Sequence, residues 1–119
     1  VKNIHEVLQE SIDIEYRNLQ DGKISPSEYI IITEVTSSQV TTQISEFVTS
    51  KPSEKWQESY ISYMNGMKKF NEYIIETKVL ANQIENESTD AEILETVNKI
   101  QAIKLESIEH IKKSNELRP

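Results

Sequence analysis

An all-α, single-domain four-helix bundle in up-down-up-down order is the fold this sequence predicts, on three observations. The chain breakers are few and clustered, with two Gly and three Pro in 119 residues, and they cut the chain into four segments. Each segment repeats its apolar residues at intervals of three and four, the signature of an amphipathic helix. The connections between segments are short, which makes consecutive helices antiparallel neighbours. Too few turn residues are present for a β-sandwich.

The first segment runs from about Lys2 to Gln20, with Ile4, Leu8, Ile12, Tyr16 and Leu19 as its stripe, and Asp21-Gly22 ends it because glycine accepts the left-handed conformation. Ser25-Pro26-Ser27-Glu28 then reads as a complete helix start: Ser25 as N-cap, Pro26 in the first turn, Glu28 as the capping-box partner. That second helix extends to about Thr49. It is rich in Thr, Ser and Gln, poor helix formers, and Ile30-Ile31-Ile32 would suit a strand, but no other segment alternates well enough to pair with one. Ser50-Lys51-Pro52-Ser53-Glu54 forces a boundary, and the third helix follows over about 53–85. Its seam is the clearest in the chain: Trp56, Tyr60, Tyr63, Met67, Phe70, Ile74, Thr77, Ala81 and Ile84. Such a helix is longer than its neighbours, so it must overhang or bend, and Asn65-Gly66 is the predicted bend. Thr89 with Glu92 forms a second capping box and opens the fourth helix, about 90–114, with the stripe Ile93, Val97, Ile100, Ile108 and Ile111.

Composition narrows the function classes. Apolar residues are only 36% of the chain, so the core is thin. The absence of Cys excludes a thiol nucleophile, a disulfide scaffold and a Cys-type zinc site. A balance of 13 Lys+Arg against 20 Asp+Glu, net charge −7, argues against nucleic-acid and anionic-membrane partners. No apolar run is long enough to span a membrane, and no signal-peptide head is present. The chain starts at Val1, which suggests a processed or excised fragment and an extracytoplasmic location.

The motifs that could carry chemistry are sparse. Glycine-rich phosphate loops, nucleophile elbows and Glu-x-x-His pairs are all missing. His5 and His110 fall at the same level of the expected bundle, with Glu106 one turn from His110, but the helical wheel puts the two rings on flanks that do not face each other. No metal site is expected, and both histidines are expected at the solvated surface. Glu15 and Lys104 sit at the centres of their apolar stripes, on levels that nearly match, and predict a buried ion pair, because two isolated buried charges are costly. Thr33, Thr36 and Gln43 line the inward face of the second helix opposite Tyr60 and Tyr63, which predicts a polar pocket for a small ligand or, equally, hydroxyls satisfied by their own helix carbonyls.

His110-Ile111-Lys112-Lys113-Ser114 resembles the His-x-x-Lys segment of histidine phosphotransfer domains, which are acidic four-helix bundles of about this length. That resemblance implies a phosphoryl-accepting His110. It covers five residues, with Ser114 where the family usually has Gly and with His110 near the C-terminus rather than mid-bundle. The sequence as a whole points to a non-catalytic helical module without cofactor, a protein-interaction or extracytoplasmic sensing domain whose partner is another protein or a second copy. A small-ligand-binding bundle is the rival, and a phosphotransfer domain comes after it.

Overall fold

The computed structural model describes residues 4–119. It is all-α, with α1 (Ile4–Gln20), α2 (Pro26–Thr49), α3 (Gln57–Glu85) and α4 (Asp90–Glu116), and a 3₁₀ turn over Glu54–Trp56 leading into α3. Lys2, the expected start of the first helix, lies outside the described residues. The helices pack lengthwise into a body of 50 × 24 × 23 Å, which accommodates α3 at roughly 43 Å from a rise of 1.5 Å per residue.

The boundaries follow from local chemistry. The Ser25 hydroxyl accepts from the Glu28 amide and donates to the Glu28 carboxylate, both at 3.1 Å, so Glu28 answers the cap hydroxyl rather than the cap amide. Thr89 accepts from the Glu92 amide at 3.2 Å. Gly22, at φ 71°, closes α1 in a Schellman turn, with Lys23 N–H donating to Asn18 C=O and Gly22 N–H to Leu19 C=O. The end of α3 repeats that turn with a non-glycine: Glu87 takes φ 54°, Ser88 N–H donates to Gln83 C=O, and Glu87 N–H donates to Ile84 C=O. Helix α2 tolerates its Thr content because the hydroxyls return to its own carbonyls, Thr33 to Ile30, Thr36 to Ile32, Thr41 to Ser37 and Thr42 to Ser38.

The core sits along α3, where Met67, Phe70, Tyr73, Ile74, Leu80 and Ala81 are buried with Ile12, Tyr29, Val40 and Ile100 from the other helices. The stripes of α4 and α3 each differ from the expected ones. On α4 the buried positions are Thr96, Ile100, Ile103, Ser107 and Ser114, while Ile108 is 40% exposed. Small polar residues face inward there because α4 lies close against α3. Ser59 and Ser114 each donate to the other's carbonyl, at 2.8 and 2.7 Å, and Ser107 donates to the Gly66 carbonyl at 2.8 Å. A Cβ placed on Gly66 would come within 2.5 Å of Ile111 Cδ1 and 3.2 Å of the Ile111 backbone nitrogen. Gly66 therefore serves the close approach of two helices, and α3 remains helical through it. The second difference is Trp56, expected in the buried seam but 39% exposed. It ends the 3₁₀ turn, so the helical phase of α3 does not extend back to it.

Candidate functional site

The predicted Glu15–Lys104 pair does not form. Lys104 meets Asp13 instead, Nζ to Oδ2 at 3.3 Å, and lies 5.8 Å from the centre of the Tyr73 ring. The reason is the phase of α1: its buried face runs through His5, Leu8, Ile12 and Leu19, while Ile4 is 43% exposed. That rotation moves Glu15 off the centre of the stripe and turns Asp13 toward α4. The Tyr73 hydroxyl donates to the other Asp13 oxygen at 2.8 Å, and burial together with Asp13 holds its pKa far above the ordinary tyrosine value. This group ties α1, α3 and α4 together, and its outer members are partly solvated, with Lys104 36% and Asp13 29% exposed.

The five residues expected to line one small-molecule pocket are distributed over four places. Thr33 lines an open groove of about 410 Å³ between α2 and α3, with Ser37, Ser38, Thr41, Thr42 and the paired Glu34 and Lys78. Gln43 lies in a smaller groove beside Ile4 and Gln39, and Thr36 is buried with its hydroxyl committed to Ile32. Tyr60 and Tyr63 stand at the far end of the α2–α3 pair. The register explains part of the separation: Tyr29 donates to Thr77 at 2.7 Å and Ser37 to Asn71 at 2.6 Å, which sets Phe47, not Gln43, opposite Tyr60, and moves Thr36 away from Tyr63 to the level of Phe70 and Asn71.

Aromatic side chains gather at that end. The Phe47 ring stacks on Tyr63 with centroids 4.7 Å apart and tilts against Tyr60 at 5.3 Å, and Trp56 meets Tyr60 edge-on at 6.5 Å. Two grooves open on either side of the Phe47–Tyr60 pair. One, of about 550 Å³, is lined by Phe47, Val48, Lys51, Pro52, Tyr60, Ile61 and Met64 among others. The second, of about 350 Å³, is lined by Ile4, Phe47, Trp56, Tyr60, Tyr63 and Arg118 along with Ser59 and Ser114. Val48 is 63% and Ile61 54% exposed, so the apolar surface is continuous with solvent.

No family model, no curated protein and no solved structure matches this chain. What the site can do must come from its own chemistry.

Behind the aromatic wall lies His5, expected at the surface but only 4% exposed. Its ring packs edge-on against Phe70 at 5.3 Å and Tyr63 at 6.2 Å, and neither ring nitrogen has a hydrogen-bond partner among the described residues. Burial lowers its pKa, against weaker opposing pulls from Glu6 and Asp13. His110 is half-buried on α4, and Ser114, in the segment that resembles phosphotransfer domains, is locked to Ser59. Glu106, one turn from His110, pairs with Lys69 at 3.0 Å. Among the described residues no three His, Asp or Glu side chains assemble as metal ligands, and no helix is long and apolar enough to cross a membrane.

Sequence reasoning missed Phe47 as the shared wall of two grooves and the serine-glycine seam between α3 and α4. The seam had a signal: Ser59, Ser62 and Gly66 recur at three and four residues, opposite Ser107 and Ser114 at seven. Apolar counting passes over it because these residues are small rather than hydrophobic.

Proposed function

We propose that this chain is a non-catalytic protein-interaction module that docks its partner on the aromatic end of α2 and α3. The carrying observation is the placement of the single Trp of the chain, which stands partly exposed beside Tyr60 where two apolar grooves share a wall. Trp and Tyr are the side chains that most often dominate interface energies, since they bury large area at little cost in rotamer freedom. The stack of Phe47 on Tyr63 fixes the wall before any partner arrives, which reduces the ordering cost of binding. In this reading the scaffold is an up-down-up-down bundle: α2 and α3 touch in opposite senses through Tyr29–Thr77 and Phe47–Tyr63, and α3 and α4 do so through Ser59–Ser114 and Glu76–Lys99.

The small-ligand reading rests on the hydroxyl-rich groove between α2 and α3. Its Thr33, Thr41 and Thr42 hydroxyls already donate to backbone carbonyls and Ser37 donates to Asn71, so few donors remain for a polar ligand, and it takes second place.

A photo-crosslinking amino acid at position 61 tests the proposal in cells that make the protein. The expected result is a discrete adduct with another polypeptide from position 61 and none from position 94, at the opposite end of α3 and α4. Equal labelling from both positions, or none from either, refutes it.

A further inference from the structure

We infer that the partner segment seated on the aromatic end is acidic as well as hydrophobic: a peptide stretch in which Asp or Glu alternates with aromatic or large aliphatic residues. This rests on the reading of the aromatic end as a docking surface and adds the chemistry of what docks there.

The argument is one of charge complementarity. In a chain with 20 acidic and 13 basic residues, neither aromatic groove is lined by a carboxylate among the described residues. Among the described residues each instead presents one cation, Lys51 in the larger groove and Arg118 in the smaller. Neither cation is engaged in an ion pair among the described residues, whereas the cations lining the other grooves are: Lys78 with Glu34 and Lys104 with Asp13. An apolar wall with an unpaired cation at its rim recognises an apolar side chain with an anion beside it. Two cations in two grooves that share one wall favour such groups on both sides of a central anchor. Arg118 is also suited to a planar, two-point grip on a carboxylate.

The distribution of charge along the molecule points the same way. The α3–α4 turn and its flanks, residues 83–96, hold five acidic side chains and no basic one. The aromatic end, residues 46–58 and 109–118 together with Glu6 beside Tyr63, holds six Glu against five Lys and Arg and is close to balance. An acidic segment is therefore repelled more strongly by the α3–α4 turn than by the aromatic end, an asymmetry that steers encounter and register more than it adds affinity.

The same polarity lets the acidic end of a second copy compete for the site, with Leu94, 60% exposed, among its carboxylates. Mutual repulsion of two chains of net charge −7 opposes that occupant. A head-to-tail contact of this kind would also fail to close and would grow with concentration.

Selection of random dodecapeptides displayed on phage against the immobilised chain tests the inference, followed by titration of the enriched peptides with Trp56 emission as the readout. The expected result is enrichment of Asp and Glu next to Phe, Trp, Leu or Ile, a saturable blue shift of Trp56, and weakening of about three- to tenfold for each of Lys51→Glu and Arg118→Glu. Enriched peptides that are basic or neutral, or binding indifferent to both charge reversals, overturn the acidic chemistry and leave the docking surface standing. No enrichment that depends on Trp56 overturns both. A native mass that rises with concentration and returns to monomer in Leu94→Glu assigns the surface to a second copy, and a blue shift with laurate but with no peptide assigns it to small amphiphiles. Either result overturns the inference.

Discussion

The Tyr73 hydroxyl donates to Asp13 across the α1–α3 boundary at 2.8 Å, with Lys104 of α4 3.3 Å from the other carboxylate oxygen. Tyr73 is 1% exposed, so removing its acceptor strands a buried donor. Asp13→Ala should cost about 2–3 kcal/mol, and Tyr73→Phe about 1–2 kcal/mol. The double variant should cost less than the sum, because the group left unsatisfied by one change is deleted by the other. Lys104→Met, at a partly solvated site, should cost under about 1 kcal/mol. Urea unfolding of the four proteins checks the set.

Gly66→Ala should destabilise the fold although alanine is the better helix former. The gain in helix propensity is about 1 kcal/mol, while forcing α4 away from the new methyl costs about 1–3 kcal/mol, because the Ile111 backbone and not only its side chain lies in the way. A net loss of about 1 kcal/mol is expected in the denaturation midpoint. A rise in stability would mean that Ile111 repacks freely.

Glu87→Gly should stabilise. The left-handed conformation costs a non-glycine residue about 1–2 kcal/mol, and the extra freedom of glycine in the unfolded chain returns about 0.5–1 kcal/mol of that. The expected net gain is about 0.5–1 kcal/mol, readable as a higher thermal midpoint. The matching turn at Gly22 should respond oppositely to Gly22→Ala.

His5 makes stability depend on pH. Burial lowers its folded pKa below the ordinary 6.5, so between those two values the unfolded chain holds more protons than the folded one. Its contribution is therefore present above about pH 6.5 and is lost as pH falls toward the folded pKa. His5→Phe, which keeps an aromatic ring against Phe70 and Tyr63, should flatten the slope of unfolding free energy from about pH 7 to about pH 5.5.

Helix number and most helix ends were legible because they depend on local chemistry: Ser25, Pro26, Gly22 and Thr89 act within a turn of themselves. The α3 seam from Met67 to Ala81 was legible as well, since periodicity there is strong. Errors appeared where phase was inferred from apolar residues alone. Ile4 drew the stripe of α1 away from His5 and so chose Glu15 over Asp13 as the partner of Lys104. Ile108 drew the stripe of α4 away from Ser107 and Ser114, whose burial depends on how near α3 lies, a quantity no single helix encodes. The α2–α3 register was displaced by the 3₁₀ turn at Glu54–Trp56, and with it went the single pocket of Thr33, Thr36, Gln43, Tyr60 and Tyr63.

Whether Trp56 serves a partner or the fold is the central question, and the stability of Trp56→Ala answers it most directly. Unfolding is followed by circular dichroism, since the variant lacks the only indole. A residue kept for docking contributes little to the isolated chain, so a loss under about 1 kcal/mol is predicted, beside a loss of about 3–5 kcal/mol for the buried Phe70→Ala. A Trp56→Ala cost as large as that of Phe70→Ala would make Trp56 a core anchor and contradict the assignment of the aromatic end as a docking surface.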